Sequence, residues 1–342
     1  MAQQFLEQAR VADFVAHLQK RHTVYAPHRR GSRSYAFEAT SDPAGVVLEY
    51  PRTLGSVKKF FLPARETLLE FDLKADSATI PPVAPVDAVF LGVHSYDLAA
   101  VRRLDHNFLH GNPERNYVTR RQGARFIGVS YAPDKYHFAG SVGIDPYDMT
   151  GSDVFLTRHP DGWIVDVLTP EGEALVAGFA LPLHTMPKPK REHFTQHIYV
   201  PQDRLNSIMA NSHDHPVWEE SSRNCLGCGT CNLVCPTCYC FDVQDHVAVT
   251  VDGGIRERTW DGCMLRGFSE VAGGEVFRHK LAARQRHRVN RKFKYLSDAT
   301  GQPWCVGCGR CTAACTAGIS IVEIVNRLIR DAEREEQVTG QA

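Results

Sequence analysis

Two stretches of the sequence repeat one another: Cys225-Leu-Gly-Cys228-Gly-Thr-Cys231-Asn-Leu-Val-Cys235-Pro236 and Cys305-Val-Gly-Cys308-Gly-Arg-Cys311-Thr-Ala-Ala-Cys315-Thr316. Both read C-x2-C-x2-C-x3-C, the spacing of bacterial two-cluster ferredoxins, in which the fourth cysteine of each run binds the other cluster. The repeat therefore predicts two [4Fe–4S] clusters with exchanged fourth ligands. The first ligand set is Cys225, Cys228, Cys231 and Cys315, and the second is Cys305, Cys308, Cys311 and Cys235.

Structural zinc is the alternative for these cysteines. Zinc sites use two C-x2-C pairs held apart, so that four ligands close a tetrahedron. Four cysteines within eleven residues, twice, fit that pattern poorly. The two runs differ in that Thr316 stands where the first run has Pro236. Because proline here serves a turn and is not a ligand, we expect cluster binding to survive the difference.

The distribution of cysteine also indicates the compartment. All 11 cysteines lie between Cys225 and Cys315, and the first residues, MAQQFLEQAR, lack the apolar core of an export signal. We therefore expect a cytoplasmic protein, in which such a cluster binds metal or does redox chemistry and does not form disulfides. Three cysteines remain outside the two ligand sets: Cys238, Cys240 and Cys263. They either hold a third metal with an outside ligand or, the interpretation we favour, pack as small hydrophobic residues.

Composition excludes several classes of protein. The 342 residues carry 39 Lys and Arg against 39 Asp and Glu, so there is none of the basic excess of a general nucleic-acid or membrane-surface binder. A hydrophobic fraction of 43% with 23% charged residues is typical of a folded globular protein of two domains. No apolar run approaches the roughly 20 residues that span a bilayer.

The fold class expected is α+β. Residues 1–205 are predicted to form a mixed α/β domain, with an amphipathic helix over residues 2–20, buried strands over 86–93 and 124–132, a helix capped by Asp97, and a hairpin turning at Pro160-Asp161-Gly162. Residues 215–335 are predicted to form a ferredoxin-like two-cluster domain with a large insertion, 241–300, and a helix after Cys315. A Pro-rich, basic connection covers 181–202.

The insertion contains an unusual basic segment. Residues 276–294 include eight Arg and Lys and no acidic residue. Three interpretations are open. The segment could be a solvated helix face, it could be a docking surface for an acidic partner, or its positive charge could compensate the negative charge of the clusters. Nucleic-acid binding is the weaker alternative, because the rest of the chain offers no matching basic surface.

The cysteine region resembles a known family. CLGCGTCNLVCPTCYCFDV, the Trp260-Asp-Gly-Cys263 stretch and the basic Arg286–Lys294 run before CVGCGRC are similar to the iron–sulfur beta subunit of cytoplasmic sulfhydrogenases, which are NAD(P)-linked [NiFe] hydrogenases. They also resemble the iron–sulfur dicluster subunit of anaerobic sulfite reductases. The resemblance covers roughly residues 55–330. It implies two partners: a flavoprotein subunit with FAD that exchanges electrons with NAD(P)H, and a catalytic subunit holding [NiFe] or sirohaem.

These observations predict an iron–sulfur electron-transfer subunit of a multi-subunit oxidoreductase, with no catalytic residues of its own. No P-loop, nucleophile elbow or G-x-G-x-x-G fingerprint occurs in the sequence. One alternative is a stand-alone iron–sulfur enzyme with a substrate site in the N-terminal domain, and another is a zinc-stabilised interaction module. We expect the chain to bind no nucleic acid and to have no membrane-spanning segment.

Overall fold

The structure is a computed structural model that describes residues 3–185 and 193–340. Its strands, in chain order, are β1 (Gln3–Glu7), β2 (Thr23–Arg29), β3 (Tyr35–Ala39), β4 (Arg65–Asp72), β5 (Ser77–Thr79), β6 (Ala88–His94), β7 (Ala124–Val129), β8 (Val154–His159), β9 (Gly162–Val167), β10 (Leu183–His184), β11 (Phe241–Val247) and β12 (Gly253–Trp260).

The α-helices range from single turns to a helix of 19 residues. They are α1 (Val11–Gln19), α2 (Lys58–Phe61), α3 (Ser95–Leu109), α4 (Arg115–Arg121), α5 (Pro170–Val176), α6 (Gln202–Ala210), α7 (Val217–Ser222), α8 (Thr230–Leu233), α9 (Leu281–Asn290), α10 (Leu296–Thr300), α11 (Arg310–Ala313) and α12 (Ile321–Thr339). This mixture confirms the α+β class.

The described chain divides into two compact units. The first contains the described residues of Met1–Val57, Pro85–His197 and Val306–Arg310, and the second contains those of Lys58–Ala84, Ile198–Cys305 and Cys311–Ala342. Residues 58–84 thus group with the second unit, although they precede the predicted boundary near 205–215. Part of the predicted connection 181–202, namely residues 186–192, lies outside the described residues.

The first unit is built on an eight-stranded mixed sheet in the order β10-β1-β9-β8-β7-β6-β2-β3. Its centre, β2-β6-β7-β8, is parallel, and the flanking pairs are antiparallel. Every residue of β6 is buried, as its continuous apolar sequence predicts for a central parallel strand. The predicted hairpin is also confirmed, because His159 pairs with Gly162 across the turn between β8 and β9.

Two local predictions in the first unit need correction. The helix predicted over residues 2–20 is shorter: Gln3–Glu7 form β1, which pairs with β9, and only Val11–Gln19 form α1, with the predicted apolar face buried. Pairing with a distant strand overrides the local helical pattern. Asp97 is not the N-cap of α3, which begins at Ser95; it lies in the first turn and is fully buried.

The second unit contains a four-stranded antiparallel sheet in the order β11-β12-β4-β5 and the cysteine motifs Cys225–Cys235 and Cys311–Cys315. In the insertion, a π-helical segment, Arg291–Tyr295, joins α9 to α10. Helix α12 contacts α6 and α7, and its predicted apolar face is confirmed: Ile321, Val325, Leu328 and Ile329 are buried.

Candidate iron–sulfur centre

The two cysteine runs share one backbone conformation. Gly227 and Gly307 both have φ of 63°, and Gly229 and Gly309 have φ of 72° and 69°. A four-residue helix follows in each run, α8 in the first and α11 in the second. Left-handed glycines between the cysteines turn the loop back on itself, which residues with a Cβ rarely do. The sequence repeat is therefore a structural repeat as well.

One pocket in the second unit is lined by the complete first ligand set. Cys225, Cys228, Cys231 and Cys315 line this pocket, and Cys311 also lines it. The sequence motif supplies the first three sulfurs from one loop, and the turn after α11 supplies Cys315. A thiolate set of this kind suits an iron–sulfur cluster, which is bound by four cysteines.

Hydrogen bonds to the sulfurs come from the loops that carry them. The amide of Gly227 donates to Cys225 Sγ at 3.4 Å, and the amide of Ile319 donates to Cys315 Sγ at 3.4 Å. Cys228 hydrogen-bonds with Thr230 Oγ1 at 3.4 Å, and this contact lowers the pKa of the Cys228 thiol. Such donors stabilise thiolate charge and tune a bound cluster.

A buried cation faces the same sulfurs. Burial raises the pKa of Cys231 to about 11, although the positive charge of the Arg288 guanidinium lowers it in part. Burial alone would lower the pKa of Arg288, but the sulfurs of Cys231 and Cys311 outweigh it and raise that pKa. Arg288 lies on α9, within the basic segment 276–294. The solvated-face interpretation is therefore wrong for part of the segment: Arg284, Arg288 and Lys292 are buried.

Lysines surround Cys235, a member of the second ligand set. Lys58 Nζ donates to the carbonyl oxygens of Cys235 and Cys238, at 3.1 and 2.8 Å. Burial lowers the pKa of Lys58 to about 8, although the neighbouring sulfurs favour its charge. Burial also disfavours the charge of Lys292, but Cys235, Cys238 and Cys305 outweigh it and raise the pKa of that lysine. Cys235 and Cys305 thus share one buried cation.

Cys308 belongs to the segment 306–310 that groups with the first unit. It is buried, and its sulfur acts electrostatically on Tyr131 and on Arg310. The Phe138 amide donates to Gly307 O at 2.9 Å beside it. The segment around this predicted ligand is therefore firmly packed within its unit.

Sequence reasoning missed two groups at these motifs. Lys58 stands in an unremarkable Lys-Lys-Phe-Phe stretch, and no spacing relates it to cysteines more than 170 residues away. Asp97, expected to cap a helix, instead forms an ion pair with Arg310 of the second motif. The one signal for a buried anion nearby is the Arg within Cys308-Gly-Arg-Cys311.

Structural zinc, the alternative for these cysteines, needs side chains that converge on one ion. Among the described residues, no group of three or more His, Cys, Asp or Glu side chains is spaced to hold a single metal ion. Sulfurs that bind one zinc would all lie about 2.3 Å from it. Cluster ligands attach to different irons, so they need not converge on one point.

Comparisons with known proteins agree with this geometry. Residues 224–319 match the family model of the 4Fe-4S dicluster domain. The chain is 32% identical to sulfhydrogenase 2 subunit beta of Pyrococcus furiosus over 329 residues, which cover 92% of this chain and 95% of the relative. No solved structure matches the chain. Within residues 3–185 and 193–340, no helix combines the length and apolar character needed to cross a membrane.

Proposed function

Because this chain belongs to the family of sulfhydrogenase beta subunits, we propose that it is the electron-transfer subunit of an NAD(P)-linked complex and holds two [4Fe–4S] clusters. The observation that carries the proposal is the single pocket lined by Cys225, Cys228, Cys231 and Cys315. Those four residues would hold the first cluster. Cys305, Cys308, Cys311 and Cys235 would hold the second.

When bound, such clusters supply reversible one-electron transfer. The residues of this chain would act electrostatically on the bound clusters. The amides of Gly227 and Ile319 donate to ligand sulfurs, and Arg288 and Lys292 place positive charge in a buried environment beside them. Hydrogen bonds and nearby cations favour the more negative, reduced state, so they raise the reduction potential.

The partners follow from the family. We propose that a flavoprotein subunit with FAD exchanges electrons with NAD(P)H, and that a catalytic subunit holds [NiFe] or sirohaem. The relative's description as a sulfhydrogenase subunit favours the [NiFe] partner. Within this scheme the chain contributes no catalytic residue.

The cluster proposal is tested by analysing anaerobically purified chain for metal and sulfide. We expect iron and acid-labile sulfide in about equal amounts, with at least about eight of each per chain. The triple variant Cys225→Ser, Cys228→Ser, Cys231→Ser should lose about four of each. Stoichiometric zinc without sulfide would reject the proposal.

The partner proposal needs a separate measurement. We expect a flavoprotein and a subunit containing nickel or sirohaem to co-purify with the tagged chain when it is isolated anaerobically from its native cells. NAD(P)H should then reduce the iron–sulfur centres of that complex. An isolated chain that turns over a substrate without either partner would instead support the stand-alone enzyme.

A further inference from the structure

The three cysteines left over by the two motifs come together in a second pocket. Cys238, Cys240 and Cys263 all line one pocket in the second unit, which is distinct from the pocket of the first ligand set. Cys238 and Cys240 follow the first motif directly, whereas Cys263 comes from the turn after β12. The fold thus unites three sulfurs that the repeat does not explain.

One amide joins two of these sulfurs. Asn232 Nδ2 donates to Cys263 Sγ at 3.4 Å and to Cys238 Sγ at 3.6 Å, so the two sulfurs lie at most 7.0 Å apart. The amide is held in place, since Asn232 Oδ1 accepts from the Met264 amide at 3.0 Å and a Cβ at Gly262 would fall 2.7 Å from the Asn232 Cβ. A fixed donor to two sulfurs is the support that metal-bound thiolates commonly have.

The charge around the pocket also differs from that of an apolar core. Arg288, Arg291 and Lys292 line it together with the three cysteines. Cysteines that pack only as small hydrophobic residues need no such cations, whereas buried cations favour the thiolate form of neighbouring sulfurs. Arg288 lines the pocket of the first ligand set as well, so one cation serves both.

We propose that Cys238, Cys240 and Cys263 bind a third iron–sulfur cluster, with a ligand other than cysteine at any iron that these thiolates leave open. A single zinc ion does not fit, because no three described ligating side chains are spaced for one ion. A cluster does not require this convergence, because its thiolates attach to different irons. This site lies outside both repeated motifs and adds to the two clusters already proposed.

The first test is a count on the parent protein. After anaerobic reconstitution with ⁵⁷Fe and sulfide, the parent should hold about eleven or twelve irons, three or four more than two four-iron clusters require. Mössbauer spectra should resolve the additional irons as a separate population. A parent that saturates at about eight irons, or that carries zinc in this pocket, would overturn the third site and leave the two-cluster proposal standing.

Variants then locate the additional iron. Cys238→Ser, Cys240→Ser, Cys263→Ser together should remove only the third population and leave about eight irons. Tyr239→Phe is the matched control, since Tyr239 lines the same pocket between two of the cysteines and should retain all the iron. The first-motif triple variant should keep the third population. Equal iron in the parent and in the Cys238, Cys240, Cys263 variant would reject the assignment, whatever the fate of the other clusters.

Discussion

Arg310 and Asp97 form a bidentate ion pair that is almost completely withdrawn from solvent. Arg310 Nη1 and Nη2 each lie 2.7 Å from a different carboxylate oxygen of Asp97, and the side chains are 1% and 0% exposed. Arg310 Nε also donates to the carbonyl oxygen of Thr53, at 2.8 Å. Arg310 occupies the variable position of the second cysteine motif, where the first motif has Thr230. The pair therefore fixes that motif segment within the first unit.

Asp97→Asn should destabilise the protein strongly. The substitution keeps the size of the side chain but leaves the buried guanidinium of Arg310 without its anion, which costs about 3–5 kcal/mol in comparable buried pairs. Anaerobic denaturant unfolding measures the change. Asp87→Asn is the control, because it breaks the exposed Asp87–Arg125 pair and should change the unfolding midpoint little. Equal effects from the two variants would contradict the role given to the buried pair.

Gly307→Ala should disturb the second motif. Gly307 has a left-handed φ, and a Cβ there would lie 2.4 Å from the backbone of Ala139. Left-handed backbone alone costs an alanine about 1–2 kcal/mol, and the clash adds to this. Gly301→Ala separates the two effects, since Gly301 has φ of 72° with nothing within 4 Å of the added Cβ. We expect Gly307→Ala to lower the unfolding temperature and the bound iron more than Gly301→Ala does; equal effects would argue against the close approach.

The sequence predicted the features that depend on neighbouring residues better than the contacts between residues far apart in the chain. The spacing of the cysteine motif is contiguous, so it indicated both the repeated loops and the proposed ligands. The strand β1 and the partner of Asp97 depend on residues far along the chain: Asp97 and Arg310 are 213 positions apart. Local periodicity carries no information about such pairs. For the same reason the sequence left two alternatives open for Cys238, Cys240 and Cys263, because Cys263 comes from the turn after β12.

His287 makes stability depend on pH. Burial, helped by Arg278 and Arg291, lowers the pKa of His287 from 6.5 to about 4 in the folded protein. As the pH falls below 6.5, His287 becomes protonated in the unfolded chain but stays neutral in the folded chain. The free energy of unfolding therefore decreases as the pH falls from 6.5 to about 4. His287→Gln should reduce this loss by on the order of 1 kcal/mol after allowance for partial exposure. Thermal unfolding of parent and variant from pH 7 to pH 4 measures it, and parallel curves would contradict it.

Arg288 should set the potential of a cluster in the first ligand set. Arg288→Gln removes a buried positive charge that faces Cys231 and Cys311, so it should favour the oxidised state and lower the potential. A shift of about 59 mV would correspond to a tenfold change in the one-electron equilibrium, and we expect at least that. Because Arg288 is buried, some loss of stability should accompany the shift.

Arg286→Gln is the matched control for Arg288. Arg286 lies two residues away on α9, is only partly buried, and donates to the carbonyl oxygen of His213 at 2.8 Å. Its removal should leave the potential nearly unchanged and affect only the rate of partner association and its salt dependence. Redox titrations followed by electron paramagnetic resonance compare the variants. Equal shifts would favour a general effect of the basic segment over a specific effect of Arg288.

Cys315→Ala tests the exchange of fourth ligands. Cys315 is the last cysteine of the second motif but lines the pocket with Cys225, Cys228 and Cys231. Its loss should therefore damage the first cluster and spare the one held by Cys305, Cys308 and Cys311. Iron content of the single variant cannot reveal which cluster is lost, since either loss removes about four irons.

Combining variants identifies the damaged cluster. If Cys315 serves the first cluster, adding Cys315→Ala to the Cys225, Cys228, Cys231 triple variant removes no further iron, because effects on a shared site are not additive. Adding it to the Cys305, Cys308, Cys311 triple variant should remove about four more irons. The opposite pattern would assign Cys315 to its sequence neighbours and contradict the exchange. Cys235→Ala, carried through the same two combinations, should give the mirror-image result.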